Sequence, residues 1–208
     1  MAQILISEVI DRAKVTAQDV DFIQWPESEW LSWFNECMLA LSAARTDAGA
    51  DYRTVTIKAG SKQDLPDDAN KLIEVVRNTS SGHAIRPIDR KILDEQHLDW
   101  HKTTGTEPRY YAYDERTPKV FWVYPSVSGG DHQLDIVVAK SPKKATSKTE
   151  KIEVEDWFAP AIVDYLLYRA YLKHAEYTND LGRSDYFRRS FYDKIGVKTE
   201  AIDTKGNM

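Results

Sequence analysis

The stretch Trp157-Phe158-Ala159-Pro160-Ala161-Ile162-Val163-Asp164-Tyr165-Leu166-Leu167-Tyr168-Arg169-Ala170-Tyr171-Leu172 decides how the rest of the chain is read. A helix on the surface of a globular protein carries one apolar stripe and one polar face. Here apolar residues run nearly all the way round, interrupted only by Asp164 and Arg169. Leaving several such side chains wet would forfeit several kcal/mol at roughly 25 cal/mol per Å² of apolar surface. The helix therefore needs cover on most sides. Neighbours within the chain supply part of it, and either further neighbours or a second copy of the chain supply the rest. Tyr165, Tyr168 and Tyr171 combine apolar rings with hydroxyls that want a partner, which suits a subunit interface. Tyr165, Tyr168, Arg169 and Tyr171 are accordingly the interface candidates.

Outward from this segment the pattern is helical at both ends and extended in the middle. Ile6, Val9, Ile10 and Ala13 recur at helical spacing. Pro26 suits the first turn of a second helix, with Glu27 and Glu29 favoured at its positive end and Leu31, Phe34, Met38 and Leu41 as its stripe. From Tyr52 the period changes to alternation. Tyr52 to Lys58, Gln63 to Pro66, and a hairpin of Lys71–Arg77 with Ala84–Ile88 about Ser80-Ser81-Gly82 are predicted as extended. Asp89 to Trp100 is expected to make a helical turn or two with Ile92, Leu93 and Leu98 inward. Tyr110–Tyr113, Lys119–Tyr124 and His132–Val138 read as three more strands. After a Lys/Ser/Thr-rich connector, helices are predicted from about Asp156 to Thr178 and from Arg183 to Ile195, separated by Asn179-Asp180-Leu181-Gly182. The fold class is α+β. N-terminal helices (1–50) and C-terminal helices (141–198) form a bundle around an inserted small antiparallel β domain (51–140) with a short helical segment, followed by a flexible polar tail (199–208).

Composition narrows the function classes. With 208 residues, 42% of them hydrophobic and 29% charged, the chain can build a real core. The net charge of −5 lacks the basic excess that advertises a duplex-binding protein. A single cysteine, Cys37, excludes an internal disulfide and any multi-cysteine zinc site. The start lacks the basic and long apolar regions of a signal peptide, and no run approaches a membrane span. A folded protein outside the membrane is expected.

The residue groupings that could carry chemistry are weak. His97 and His101 stand four apart, a spacing at which two helix-borne imidazoles can share a metal, but no third ligand is implied nearby. Strand alternation puts Asp131 and Asp135 on one face and His132 on the other, against a concerted acid–base site; Gly129-Gly130-Asp131 is a good turn. Cys37 lies within an apolar helix and needs no reactive role. Arg183, Arg188, Arg189 and Lys194 are interleaved with Tyr186, Phe187, Phe191 and Tyr192, and read as the charged rim of an amphipathic helix whose aromatics are core. No catalytic residue, cofactor or metal site is expected.

The order and spacing of several segments resemble a family of tailed-bacteriophage head-to-tail adaptor proteins, found between portal and tail in short-tailed and related phages. The resemblance rests on Trp30–Glu36, Gln63–Ala69, Leu72–Asn78, Ile88 with Asp89–Asp94, Trp100, Glu107–Tyr111, Val120–Pro125 and Asp164–Lys173. It spans Glu29 to about Ile195, and no single motif is diagnostic. The resemblance implies a protein without catalysis that forms a twelve-subunit ring docked on the portal. The ring extends the DNA channel without sequence-specific binding and offers a platform for tail or nozzle proteins. It would reside at the head–tail interface of the virion, and in host cytoplasm during assembly. The terminal residues Lys198, Thr199, Glu200, Ala201, Ile202, Asp203, Thr204 and Lys205 are candidates for docking on the portal or a neighbour. A stopper, a tail-completion protein or another protein-binding module would share the same composition.

Overall fold

The computed structural model describes residues 4–173 and 178–197. They divide into two compact units, one drawn from the stretches Met1–Ala48 and Pro142–Met208, the other from Gly49–Ser141. The chain is α+β.

The first unit holds helices α1 (Ile6–Ala17), α2 (Glu27–Ala44), α4 (Ala159–Lys173) and α5 (Thr178–Lys194). α4 packs against α1, α2 and α5. Helix α1 ends where Gln18 turns into the left-handed region at φ 59°. In the loop that follows, the buried Asp19 carboxylate accepts from the backbone N–H groups of Gln24 and Trp25 (2.9 and 3.0 Å), fixing the entry to α2. Pro26 stands just before the first turn of α2, with Glu27 and Glu29 in that turn. Helix α5 starts at Thr178, so Asn179 to Gly182, read from sequence as the break between helices, lie inside its opening turns. Helix formation there costs only about 1 kcal/mol for the single glycine.

The second unit holds seven strands and one helix: β1 (Ala50–Thr56), β2 (Gly60–Asp64), β3 (Ala69–Asn78), β4 (Arg86–Pro87), α3 (Arg90–Gln96), β5 (Tyr110–Tyr113), β6 (Val120–Val127) and β7 (Gln133–Lys140). They form a three-stranded sheet in the order β1-β7-β3 and a four-stranded sheet in the order β2-β6-β5-β4. Both sheets contribute to one aliphatic and aromatic core, with Leu134, Ile136 and Val138 from β7 and Phe121 and Val123 from β6. The β6–β7 connection turns at Gly129 and Gly130, whose φ values of 108° and 105° side-chain-bearing residues rarely adopt.

Three features of this unit differ from the sequence reading. The sheet is not wholly antiparallel, because β4 pairs parallel with β5. Parallel neighbours need a crossover, and the segment carrying α3 provides it. The expected hairpin of 71–77 with 84–88 is reduced to one bridge, Arg77 with Ala84, since β3 and β4 then enter different sheets. On α3 only Leu93 turns inward; Ile92 is exposed and Leu98 is 88% exposed. One turn after α3, Trp100 takes the buried place, its Nε1–H donating to Asp94 at 2.8 Å.

Candidate subunit-interface region

Helix α4 is entered through a 3₁₀ turn, Asp156–Phe158, that buries Phe158 and leaves Trp157 72% exposed. Pro160 is the second residue of α4, where its missing N–H would have had no intrahelical partner. Ile162, Leu166, Leu167 and Ala170 are then wholly buried in a core that also takes Ile10 of α1, Trp30 and Leu41 of α2 and Phe191 of α5. The three helical neighbours within the unit thus cover most of α4.

The interface candidates are placed as follows. Tyr165 is buried, edge-on to Phe191 (5.1 Å between centroids) and Tyr168 (5.6 Å). Burial, reinforced by the nearby Cys37, pushes its phenol up to about 12. Tyr171 is buried too, stacked on Phe187 at 5.8 Å, with the Arg183 guanidinium 5.5 Å from its ring. Tyr168 and Arg169 are half-buried, and Arg169 reaches Glu36 of α2 at 2.9 Å. Asp164, the polar interruption in the helix, is buried and accepts from Ser190 Oγ at 2.6 Å and from the Lys194 ammonium, tying α4 to α5. The other named candidates, Lys198 to Lys205, lie outside the described residues.

The same unit presents an open groove of about 540 Å³ along α2. Its floor is the outer face of α2, with Ser28, Leu31, Asn35 and Leu39, and its wall is the strap Pro142–Thr146. Asn35 fixes that strap: its Nδ2 donates to the Ala145 carbonyl at 3.0 Å and its Oδ1 accepts from the Ala145 N–H at 2.7 Å. Lys148 pairs with Glu27 at 2.7 Å, so the strap runs antiparallel to α2 and brings Lys143 and Lys144 to the Leu39 end. Among the described residues neither lysine has an ion-pair partner, and Leu39 is 61% exposed.

The model of the SU10 adaptor protein family matches residues 4–206, almost the full chain. The chain belongs to that family. It is a family of phage adaptors, in agreement with the resemblance drawn from the order and spacing of the segments above. No curated protein matches the chain.

The residue groupings that could carry chemistry have structural partners in the adaptor. His97 caps the end of α3 and stacks on Tyr124, while His101 stacks on Trp100 and shares a 2.9 Å hydrogen bond with Ser61. The two imidazoles therefore serve different contacts. Among the described residues no group of three or more His, Cys, Asp or Glu side chains is disposed to hold a metal, and no helix is long and apolar enough to cross a membrane. Cys37 is buried, which pushes its thiol up. On α5, Arg188 and Arg189 both pair with Asp185 (3.0 and 2.6 Å), and Phe191 is core. Tyr186 departs from the expected core position and is 65% exposed.

One residue weighed in the sequence only as a possible acid or base has a structural role that the sequence reading did not find. Asp135, in the central strand β7, is buried and accepts four side-chain hydrogen bonds. They come from Arg77 Nε (2.7 Å), Thr54 (2.8 Å), Tyr52 (2.9 Å) and Thr79 (2.9 Å). The Arg77 bond, then those of the hydroxyls, hold its carboxyl well below the usual aspartate range. An acid between Leu134 and Ile136 in a β-branched strand was the available signal, since such a residue needs partners on the opposite sheet face.

Proposed function

We propose that the adaptor is a non-enzymatic structural protein of a tailed-phage virion. Copies of it close into a ring, twelve strong, beneath the portal. That ring continues the DNA channel without reading sequence and gives tail or nozzle proteins a surface to dock on. The family match carries this reading, because it covers both units rather than one. Segments 1–50 and 141–198 act together as a helical bundle, with the β insertion at 51–140 as its appended module and 199–208 as a docking tail. The packing of α4 against helices from both chain ends supports that division. Tyr168 and Arg169, at the half-buried rim of α4, meet the neighbouring subunit, and the buried Tyr165 and Tyr171 hold that rim in shape. Lys198 to Lys205 dock on the portal or a neighbour once the ring is in place.

Negative-stain imaging of the purified adaptor mixed with the portal of its own phage tests this. Ring-shaped density that extends the portal channel is expected, and its symmetry gives the copy number. If both proteins are folded and no density is added, the portal-adaptor reading is overturned in favour of a tail-side component. Deletion of residues 199–208 is expected to weaken portal attachment; unchanged attachment would remove the tail from the docking scheme.

A further inference from the structure

We infer that the 18–25 loop of one adaptor copy seats Ile23 in the α2 groove of the next copy, against Leu39, with Asp21 beside Lys143 and Lys144. The contact rests on the ring reading, which it deepens by naming what holds one subunit to its neighbour.

The loop is built to present its tip. Among the described residues the non-glycine positions with positive φ are Gln18 and Phe22, at 59° and 55°, and both lie here. Gln18 closes α1, but a bulky ring at such a φ persists only where its surroundings hold it. The Lys14 ammonium stands 3.8 Å from the centroid of the Phe22 ring, and the Lys148 ammonium 5.7 Å from it. The buried Asp19 fixes the far side of the loop through the N–H groups of Gln24 and Trp25. Held in this way, Ile23 is 87% exposed and Val20 is exposed too. Asp21 is exposed and has no ion-pair partner among the described residues. A tip already fixed in shape loses little freedom on docking.

The groove answers the tip in chemistry. The tip carries an exposed isoleucine and an unpaired acid; the Leu39 end of the groove carries an exposed leucine and two unpaired cations, Lys143 and Lys144. The two surfaces do not meet within one copy. Leu39 lies twelve residues beyond Glu27 in α2, about 18 Å at 1.5 Å per residue. Ile23 is four residues before Glu27, a reach of roughly 14 Å even if the loop were pulled straight. Only another copy can bring the pair together. Each subunit then offers its loop to one neighbour and its groove to the other, a heterologous contact of the kind that generates a ring when its rotation closes. Glu36 lines the same groove and pairs with Arg169, so the groove is continuous with the rim of α4 assigned above to the neighbouring subunit.

Photo-crosslinking tests the contact. Full-length adaptor carrying Ile23→benzoylphenylalanine, which keeps an apolar tip, is mixed with an excess of isotopically heavy, unsubstituted adaptor. The mixture is irradiated both alone at high concentration and on the portal, and the products are mapped by mass spectrometry. Crosslinks to heavy peptides from 28–39 and 142–146 are expected. Adding Asp21→Lys to the crosslinking copy is expected to lower their yield several-fold, and K143E/K144E in the heavy copy to restore it, with circular dichroism verifying that each variant is folded. Crosslinks only to the portal or to another part of the adaptor, no crosslink in either mixture, or a yield that Asp21→Lys leaves unchanged would each overturn the contact. Imaging of the portal mixture separates the two readings. Rings without heavy groove peptides would refute the contact and leave the ring reading standing, whereas heavy groove peptides without rings would refute the ring reading and keep the contact between copies.

Discussion

Each unit of the adaptor contains a buried carboxylate on an element that its neighbours pack against, Asp164 on α4 and Asp135 on β7, and the two are used differently. In the helical unit Asp164 is held by Ser190 and Lys194, both on α5, so it fastens one helix pair inside a core whose cohesion is otherwise apolar and aromatic. In the sheet unit Asp135 gathers Tyr52 and Thr54 from β1, Arg77 from β3 and Thr79 just beyond it, so one side chain ties the central strand to both of its neighbours. The helical unit depends on the area that α4 buries. The sheet unit depends to a larger degree on one electrostatic joint. The adaptor thus has one unit that resists unfolding by packing and one that resists it by a fixed set of partners.

The largest expected effect tests the packing half. Leu166→Ala removes a fully buried side chain from the middle of α4 and is expected to destabilise the helical unit by roughly 2–5 kcal/mol. Urea unfolding followed by circular dichroism measures it. Hydrogen exchange on the same variant sharpens the contrast, because amides of β6 and β7 should keep their protection. If they lose it in step with α4, the two units unfold as one and the comparison fails.

The second test removes the joint. Asp135→Ala strands a guanidinium and three hydroxyls, and roughly 1–3 kcal/mol of loss confined to the sheet unit is expected. Arg77 can turn to solvent, which keeps the effect below that of the core cavity. Thermal unfolding together with exchange rates in β1, β3 and β7 reads it. Loss of protection in α4 instead would refute the division of labour.

The two units should also fail at opposite ends of the pH scale. The folded-state pKa of Asp135 is depressed, so its contribution is present above the ordinary aspartate value of about 4 and is lost as pH falls below it. Tyr165 is raised, so its contribution is present below the ordinary phenol value of about 10 and is lost as pH climbs to about 12. Acid should therefore loosen the sheet unit first, and alkali the helical unit. In a pH series of exchange measurements, Tyr165→Phe should reduce the alkaline loss and leave the acid limb unchanged; an unaltered alkaline limb would show that another group controls it.

The smallest effect is at the rim. Arg169→Ala breaks a half-exposed pair with Glu36 and should cost less than about 1 kcal/mol of subunit stability. If α4's rim meets a neighbouring subunit, the same variant lowers the yield of portal-bound rings in imaging. Normal rings from Arg169→Ala would take this residue out of the interface.

Local periodicity makes the helices at both ends readable; Pro26 marks the start of α2 to within a residue, whereas the helix expected from about Asp156 begins at Ala159, after the 3₁₀ turn. The strands at 110–113, 119–124 and 132–138 were readable for the same reason. Pairing was not, because it is decided between distant segments: β7 lies between β1 and β3, and nothing local to residues 71–88 says that β3 and β4 part into separate sheets. Leu98 shows the limit of counting apolar residues on a short helix, since Trp100 fills the site that it was expected to fill. Asp135 was discounted when it was weighed only as a possible acid or base; its buried role depends on Tyr52, Arg77 and Thr79, which come from far along the chain. The tyrosines of α4 stand out in the sequence as candidates for a subunit interface; within the chain Tyr165 packs on Phe191 and Tyr171 on Phe187 of α5.

The helical core is made from both ends of the chain, and this sets an order of events at the ribosome. Helix α2, with Trp30, Trp33 and Phe34, leaves the exit tunnel long before α4 exists to cover it. At typical elongation speeds, making the Gly49–Ser141 stretch takes roughly five to twenty seconds. During that interval the sheet unit has all of its own strands and can close, while the tryptophan face of α2 waits without its partner. The adaptor is therefore most exposed to aggregation and to chaperone capture as a nascent chain, and slowing synthesis within the inserted segment would lengthen that exposure.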